Sequence, residues 1–339
     1  MFVIRSALPI DIDALLGIAQ HLDSVNLPND RGRLTTILER STAAFSRRAH
    51  VPEREFVFVL EARPRGEEPH IIGCSMLFAQ HGTRRAPHVY FDVLEEERYS
   101  DTIDRHFVHQ VLRIGFNYKG VTEVGGLVLL PAHRGHAEQL GKMLSFVRFL
   151  YIARHRSLFR DELLAELMPP LEPDGRSLLW ESLGRRFTGL DYQEADRLSR
   201  ENKEFIKALF PQEPLYASLL APEARALIGE VGKSTQGVAH MLRAIGFAYA
   251  HRIDPFDGGP HFHAKTDEVT LVAQTRQKVV LADTAVGKQL ALVGGEGSDG
   301  LFRAVRTHVV DETFGVAMPT AVRSALDVEV GAEVAVLRL

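Results

Sequence analysis

An apolar run, GLVLL at 126–130, is followed by Pro131, by Arg134 and Gly135, and then by Gly141 and Lys142. The run reads as a buried strand. Pro131 ends it, because proline has no N–H to give to a ladder. Leu140, Leu144, Val147 and Tyr151 then recur at helical spacing, and Phe146, Phe149 and Leu150 broaden the apolar stripe. A strand, a glycine-bearing turn and a helix start leave backbone N–H groups free at a helix N-terminus, where the helix dipole favours an anion. Arg134 and Lys142 add positive charge. Two readings weigh equally on these residues alone: a cradle for a pyrophosphate, and an ordinary strand–turn–helix corner with solvated charges.

The same residues carry a resemblance. LVLLPAHR (127–134), LGKMLS (140–145) and the pair Arg148-Phe149 resemble the acyl-CoA turn of the GNAT N-acyltransferases, and within them the arginine N-succinyltransferase family. FVFVLE (56–61), WESLGRRF (180–187) and IDPFDGGP (253–260) extend the resemblance along most of the chain, in the family's order. It implies a mixed α/β (α+β) fold: a GNAT-like core, a helical extension and a small β-rich C-terminal module. It implies an N-acyltransferase that moves a succinyl group from succinyl-CoA to the α-amine of arginine. No cofactor is implied to be permanently bound; succinyl-CoA or another acyl-CoA is the co-substrate. Two other readings stay open: a sibling enzyme with a different acyl donor or amine, and a non-catalytic subunit. Paired, related chains in the family make a homo- or hetero-oligomer the expectation.

The resemblance also assigns residues. Leu127 is carried over as a succinyl-CoA contact, and backbone groups of Leu127 and Leu129 suit strand-like pairing with the pantetheine arm. Arg134, Gly135, Gly141 and Lys142 are expected at the pyrophosphate. Two departures stand out. The turn from Arg134 to Gly141 is about two residues longer than the family's and carries Glu138. The family's catalytic histidine falls at Gly232, and glycine moves no side-chain proton. Glu166 and His251 are the expected replacements, since a carboxylate or an imidazole can take a proton from the attacking amine. Asp254 and Asp257, in the best-matched motif, suit a cationic substrate, or else cap turns beside Gly258-Gly259. Asn26 lies where the family has a hydroxyl residue in a loop near the substrate. His133-x-x-His136 and His261-x-His263 lack a third ligand pattern, so no metal site is expected.

The whole chain has 339 residues, 45% hydrophobic and 25% charged, which is ordinary globular composition. Its net charge of −4 speaks against a nucleic-acid partner. No apolar run reaches membrane-spanning length, and acidic residues interrupt the N-terminal apolar stretch, so no signal peptide is expected. The lone Cys74 excludes an internal disulfide and reads as a packed core thiol. The cytoplasm is the expected location.

Three segments are expected: 1–190 as the acyl-CoA-binding core, 191–268 as a helical or second GNAT-like part completing the substrate site, and 269–339 as the β-rich module. Up to about residue 190 the expected order is β-α-β-β-β-α-β-α-β. Within it, 88–93 reads as a strand, 101–114 as a helix or linker, 161–168 as a strand, and Arg186-Phe187 as the start of another.

Overall fold

The computed structural model describes residues 1–339 except 21–26, 85, 200–201 and 284–286, and the side chain of Pro52. Asn26 therefore lies outside the described residues. The strands are β1 (Phe2–Ser6), β2 (Glu55–Ala62), β3 (His70–Phe78), β4 (His88–Ser100), β5 (Arg105–Asn117), β6 (Thr122–Leu129), β7 (Glu162–Glu166), β8 (Leu215–Tyr216), β9 (Ala248–Ile253), β10 (Pro260–Lys265), β11 (Arg276–Val280), β12 (Gln289–Glu296), β13 (Phe302–Asp311), β14 (Gly315–Ala317) and β15 (Glu333–Arg338). The helices are α1 (Ile12–Ala19), α2 (Arg31–Phe45), α3 (Leu140–Arg154), α4 (Leu178–Ser182), α5 (Gly184–Thr188), α6 (Tyr192–Ser199), α7 (Glu204–Leu209), α8 (Pro222–Arg225), α9 (Gln236–Ala244), α10 (Thr270–Gln274) and α11 (Thr320–Leu326).

The chain forms two compact units, both discontinuous in sequence. The first comprises residues 1–80, 122–161 and 265–339, and the second 81–121 and 162–264. These limits cut across the contiguous segments 1–190, 191–268 and 269–339.

In the first unit β1, β2, β3 and β6 form an antiparallel run. Helices α1 and α2 cover one of its faces: Leu15, Ile18, Leu34 and Leu38 pack on Val57, Val59, Cys74, Met76 and Val128. Burial pushes the Cys74 thiol up to about 12, as suits a core thiol. Helix α3 is buried nearly all round, from Met143 to Ile152, which is how a helix apolar on every face must sit. The strand signals after residue 269 become a closed barrel. β12 pairs with β13 and β15, β15 with β11, β11 with β14, and β14 with β13. Closure leaves no free edge. Val280, Val293, Val305, Val316, Val334 and Val336 fill its core, with Leu326 from α11.

The second unit is built on β4, which pairs with β5 over thirteen residue pairs, from His88↔Asn117 to Ser100↔Arg105. Here the structure corrects the sequence reading: 101–114 is neither helix nor linker, and β4 continues to Ser100. The outer half of this ribbon is exposed on both sides, so no burial alternation marks it as strand. Arg186-Phe187 likewise belongs to α5 rather than to a strand; Gly189 ends that helix with a φ of 72°. The order up to residue 190 is thus β-α-α-β-β-β-β-β-α-β-α-α. The core of this unit centres on Trp180, fully buried, which stacks on Phe256 at 4.9 Å and donates from Nε1 to the Leu190 carbonyl at 3.0 Å.

Candidate active site

The first unit holds the strand–turn–helix. Cys74 pairs with Val128 and Met76 with Gly125, so Gly126 and Leu127 together face Ser75 in a bulge. Gly126 has a φ of 57°, and a Cβ there would meet Met76 Cγ at 2.7 Å. Position 126 therefore takes glycine for its backbone angle as well as for space. The bulge is tied to α3 by Arg148, only 2% exposed, whose Nη1 donates to the Gly125 carbonyl at 3.2 Å. Its Nη2 donates to Ser145 Oγ at 2.7 Å. Burial lowers this guanidinium to about 10, so it stays charged at neutral pH. Leu127 is half-buried and Val128 buried.

Beyond Leu129 the chain makes a short 3-10 turn at Pro131–His133. Gly135 and Gln139 then take φ values of 72° and 53° before α3 begins. No side chain caps α3; its first internal bond runs from Met143 N to the Gln139 carbonyl at 3.0 Å. The N–H groups of Leu140, Gly141 and Lys142 are thus the orphan donors of the first turn. Arg134, Gly135 and Lys142 are exposed. The side chain of Arg134 also folds back, and its Nε donates to the Leu129 carbonyl at 3.1 Å. That bond occupies one of the backbone groups expected to pair with pantetheine. Lys142 Nζ rests 5.2 Å from the Phe146 ring centre.

The second unit holds an arrangement that the sequence reading did not anticipate. Glu166 ends β7, His88 opens β4, and His81 lies in the segment just before it. Leu167 N donates to the Pro260 carbonyl at 3.2 Å, which sets His261 on β10 beside Glu166. The Nε2 atoms of His88, His261 and His81 lie 3.1, 3.5 and 3.8 Å from Glu166 Oε1. His261 is fully buried and His88 nearly so, while the Glu166 side chain keeps 29% of its surface. Glu166, Asp254 and His261 also bring one ligand atom each within 4.8 Å of one another.

The electrostatics follow from burial. Burial, then His81, pulls the His88 imidazole down to about 4, and burial pulls His261 down to about 3, so both are neutral at pH 7. Burial pushes the Glu166 carboxyl up, but His261, then His88 and His81 outweigh it and hold it well below the usual carboxylate range. Burial, then Glu166, raises Asp254 to about 7; burial, then Asp254, raises Asp257 well above its usual value.

Asp254 and Asp257 both close turns. Asp254 Oδ1 accepts from Phe256 N at 2.7 Å, and Asp257 Oδ1 from Gly259 N at 2.7 Å. Asp254 additionally reaches the Glu166 cluster. His251 does not join it. It is exposed, sits at the β9–β10 irregularity with a φ of 52°, and packs its ring on Tyr249 at 5.0 Å. His136 is spent on an edge contact with Phe2.

Gly232 is buried, and its N–H donates to the Met168 carbonyl at 2.9 Å. A Cβ there would lie 2.6 Å from the Pro169 carbonyl oxygen, 2.8 Å from Pro169 C and 2.9 Å from the Met168 oxygen. The backbone beyond Glu166 therefore closes this position to any side chain.

A family model for the arginine N-succinyltransferase beta subunit matches residues 2–271. The chain belongs to the arginine N-succinyltransferase family. Within that family it is 33% identical over 285 residues to the arginine N-succinyltransferase subunit beta of Pseudomonas aeruginosa, covering 83% of this chain and 82% of the relative. It is 32% identical over 319 residues to an arginine N-succinyltransferase of Yersinia enterocolitica, covering 93% and 90%. Its fold matches the solved structure of arginine/ornithine succinyltransferase subunit AI from Pseudomonas aeruginosa with a TM-score of 0.84, at 28% identity, over 100% of this chain and 98% of that one. The mixed α/β fold is therefore that of the family. Among the described residues, no helix is long and apolar enough to cross a membrane.

Proposed function

We propose that this protein transfers the succinyl group of succinyl-CoA to the α-amine of arginine. The observation that carries the reading is similarity to arginine N-succinyltransferases over nearly the whole chain, in sequence and in fold. The bulged β6, the exposed Arg134–Gly135 turn and the uncapped start of α3 suit an acyl-CoA, with Leu127 and Leu129 along the pantetheine and Gly141 and Lys142 at the phosphates. Burial and neighbouring carboxylates raise Asp254 and Asp257 and leave them short of positive charge, with Lys203 offsetting this only in part at Asp254. The guanidinium of arginine supplies that charge.

The amine attacks the thioester carbonyl, the C–N bond forms, the C–S bond breaks, and the sulfur leaves as CoA thiol. The ammonium form of the substrate must first lose a proton. Glu166 accepts its N–H and passes the proton to water. Its low value makes it a relay rather than a store.

The test is thiol release from succinyl-CoA in the presence of arginine. Wild type releases CoA, and Glu166→Gln lowers kcat by about 10²–10⁴-fold with the KM for succinyl-CoA kept. No release with any acyl-CoA and amine, by protein that binds CoA, overturns the reading. It would favour a non-catalytic subunit, for which the closed position at Gly232 is the supporting observation.

A further inference from the structure

Of the three imidazoles around Glu166, His88 stands at hydrogen-bonding distance and His261 and His81 stand beyond it. N–H···O hydrogen bonds run about 2.7–3.2 Å, whereas two ligands on a tetrahedral ion with bonds of about 2.0–2.1 Å stand about 3.3–3.4 Å apart. The three nitrogen-to-Oε1 separations are 3.1, 3.5 and 3.8 Å. Both ring nitrogens of His261 are buried without a hydrogen-bond partner. Such nitrogens are costly to leave unpaired. The rings of His88 and His261 stack, 28° apart with centres at 5.2 Å, and both present Nε2 to the same carboxylate oxygen.

We propose that this cluster is a divalent transition-metal site, held by His81, His88 and Glu166. Glu166 also belongs to a second converging set, with Asp254 and His261. Imidazole nitrogens mixed with carboxylate oxygens suit zinc, cobalt or iron and not magnesium or calcium, which take oxygen ligands. Three protein ligands leave positions open on the ion, and the partial exposure of Glu166 leaves a way in. The inference does not depend on which amine is acylated. A bound ion makes Glu166 a ligand, so the same carboxylate cannot at that moment serve an incoming ammonium. Zinc therefore inhibits transfer as it fills the site.

The experiment uses the full chain, stripped with chelator and dialysed. Cobalt(II) is titrated in and its visible d–d absorption read, with zinc as the competitor. The expected result is one cobalt per chain, bleached by one equivalent of zinc. Affinity should fall at least tenfold in His81→Ala and Glu166→Gln and remain unchanged in His136→Ala, with circular dichroism showing all variants folded. His81 is half-buried and Glu166 partly exposed, so these two substitutions spare the core. Substoichiometric cobalt, or equal binding by wild type and Glu166→Gln, overturns the site. Thiol release measured on the stripped protein is a separate readout. An active enzyme without a cobalt site sinks this inference and leaves the transferase reading standing; a cobalt site without transfer does the reverse.

Discussion

Adding one methyl group at position 232 tests the geometry beside Glu166. In Gly232→Ala the new Cβ meets three backbone atoms of Met168 and Pro169 at 2.6–2.9 Å, closer than real Cβ contacts allow. Those atoms cannot swing aside as a side-chain end would. The Met168 carbonyl is itself held by two donors, Gly232 N at 2.9 Å and Thr235 Oγ1 at 2.9 Å. Overpacking of this kind costs about 1–3 kcal/mol, and loss of one of those bonds adds about 1 kcal/mol. At about 2–4 °C per kcal/mol for a unit of 150–250 residues, the melting midpoint should fall by roughly 4–16 °C. Thermal melting followed by circular dichroism reads this, with Gly237→Ala as the control. Nothing lies within 4 Å of a Cβ at 237, in α9, and alanine there should stabilise by about 0.5–1 kcal/mol. Gly232→His should be at least as destabilised as the alanine variant and should not raise kcat. A Gly232→Ala protein as stable as wild type, or a histidine variant with faster turnover, refutes the closed position.

Two further expectations bear on the first unit. Gly126→Ala forces a side chain into a φ of 57° against Met76, at about 1–2 kcal/mol of backbone strain; the KM for succinyl-CoA should rise more than kcat falls, and an unchanged KM would separate the bulge from acyl-CoA binding. Glu296 accepts from Arg154 Nε and His155 Nε2, each at 2.7 Å, and against burial these partners hold its carboxyl down to about 2. Because the folded value lies below the usual 4.5, its stabilisation is complete above that pH and is lost as pH falls from about 4.5 to 2. Urea midpoints across that range should be flatter for Glu296→Gln than for wild type, and parallel curves would exclude the pair as the cause.

What was legible in the sequence was what local pattern dictates. The β6 run, Pro131 and the apolar stripe of α3 appear where the residues placed them, because burial periodicity and the missing proline N–H act over a few residues. The motif stretches carried the family in the same way, since each is contiguous. The ribbon at 101–114 was not legible: its far half is exposed on both faces, so no hydrophobic period was written into it. Phe187 misled because a second short helix, Gly184–Thr188, follows α4 at once and is closed by Gly189.

The Glu166 cluster lay wholly beyond local reading. His81, His88, Glu166 and His261 come from four separate stretches. His261 drew notice only through its spacing to His263, and His81 and His88 drew none. They meet because β7 and the start of β10 lie side by side through Leu167 and Pro260, and because β10, β9 and β4 are consecutive neighbours in one sheet. Sequence alone thus determined the strand, the turn, the helix and the family. Strand pairing decided which titratable groups share a buried space, and it also turned His251 outward and closed the backbone over Gly232, because register acts between segments that no spacing in the chain relates.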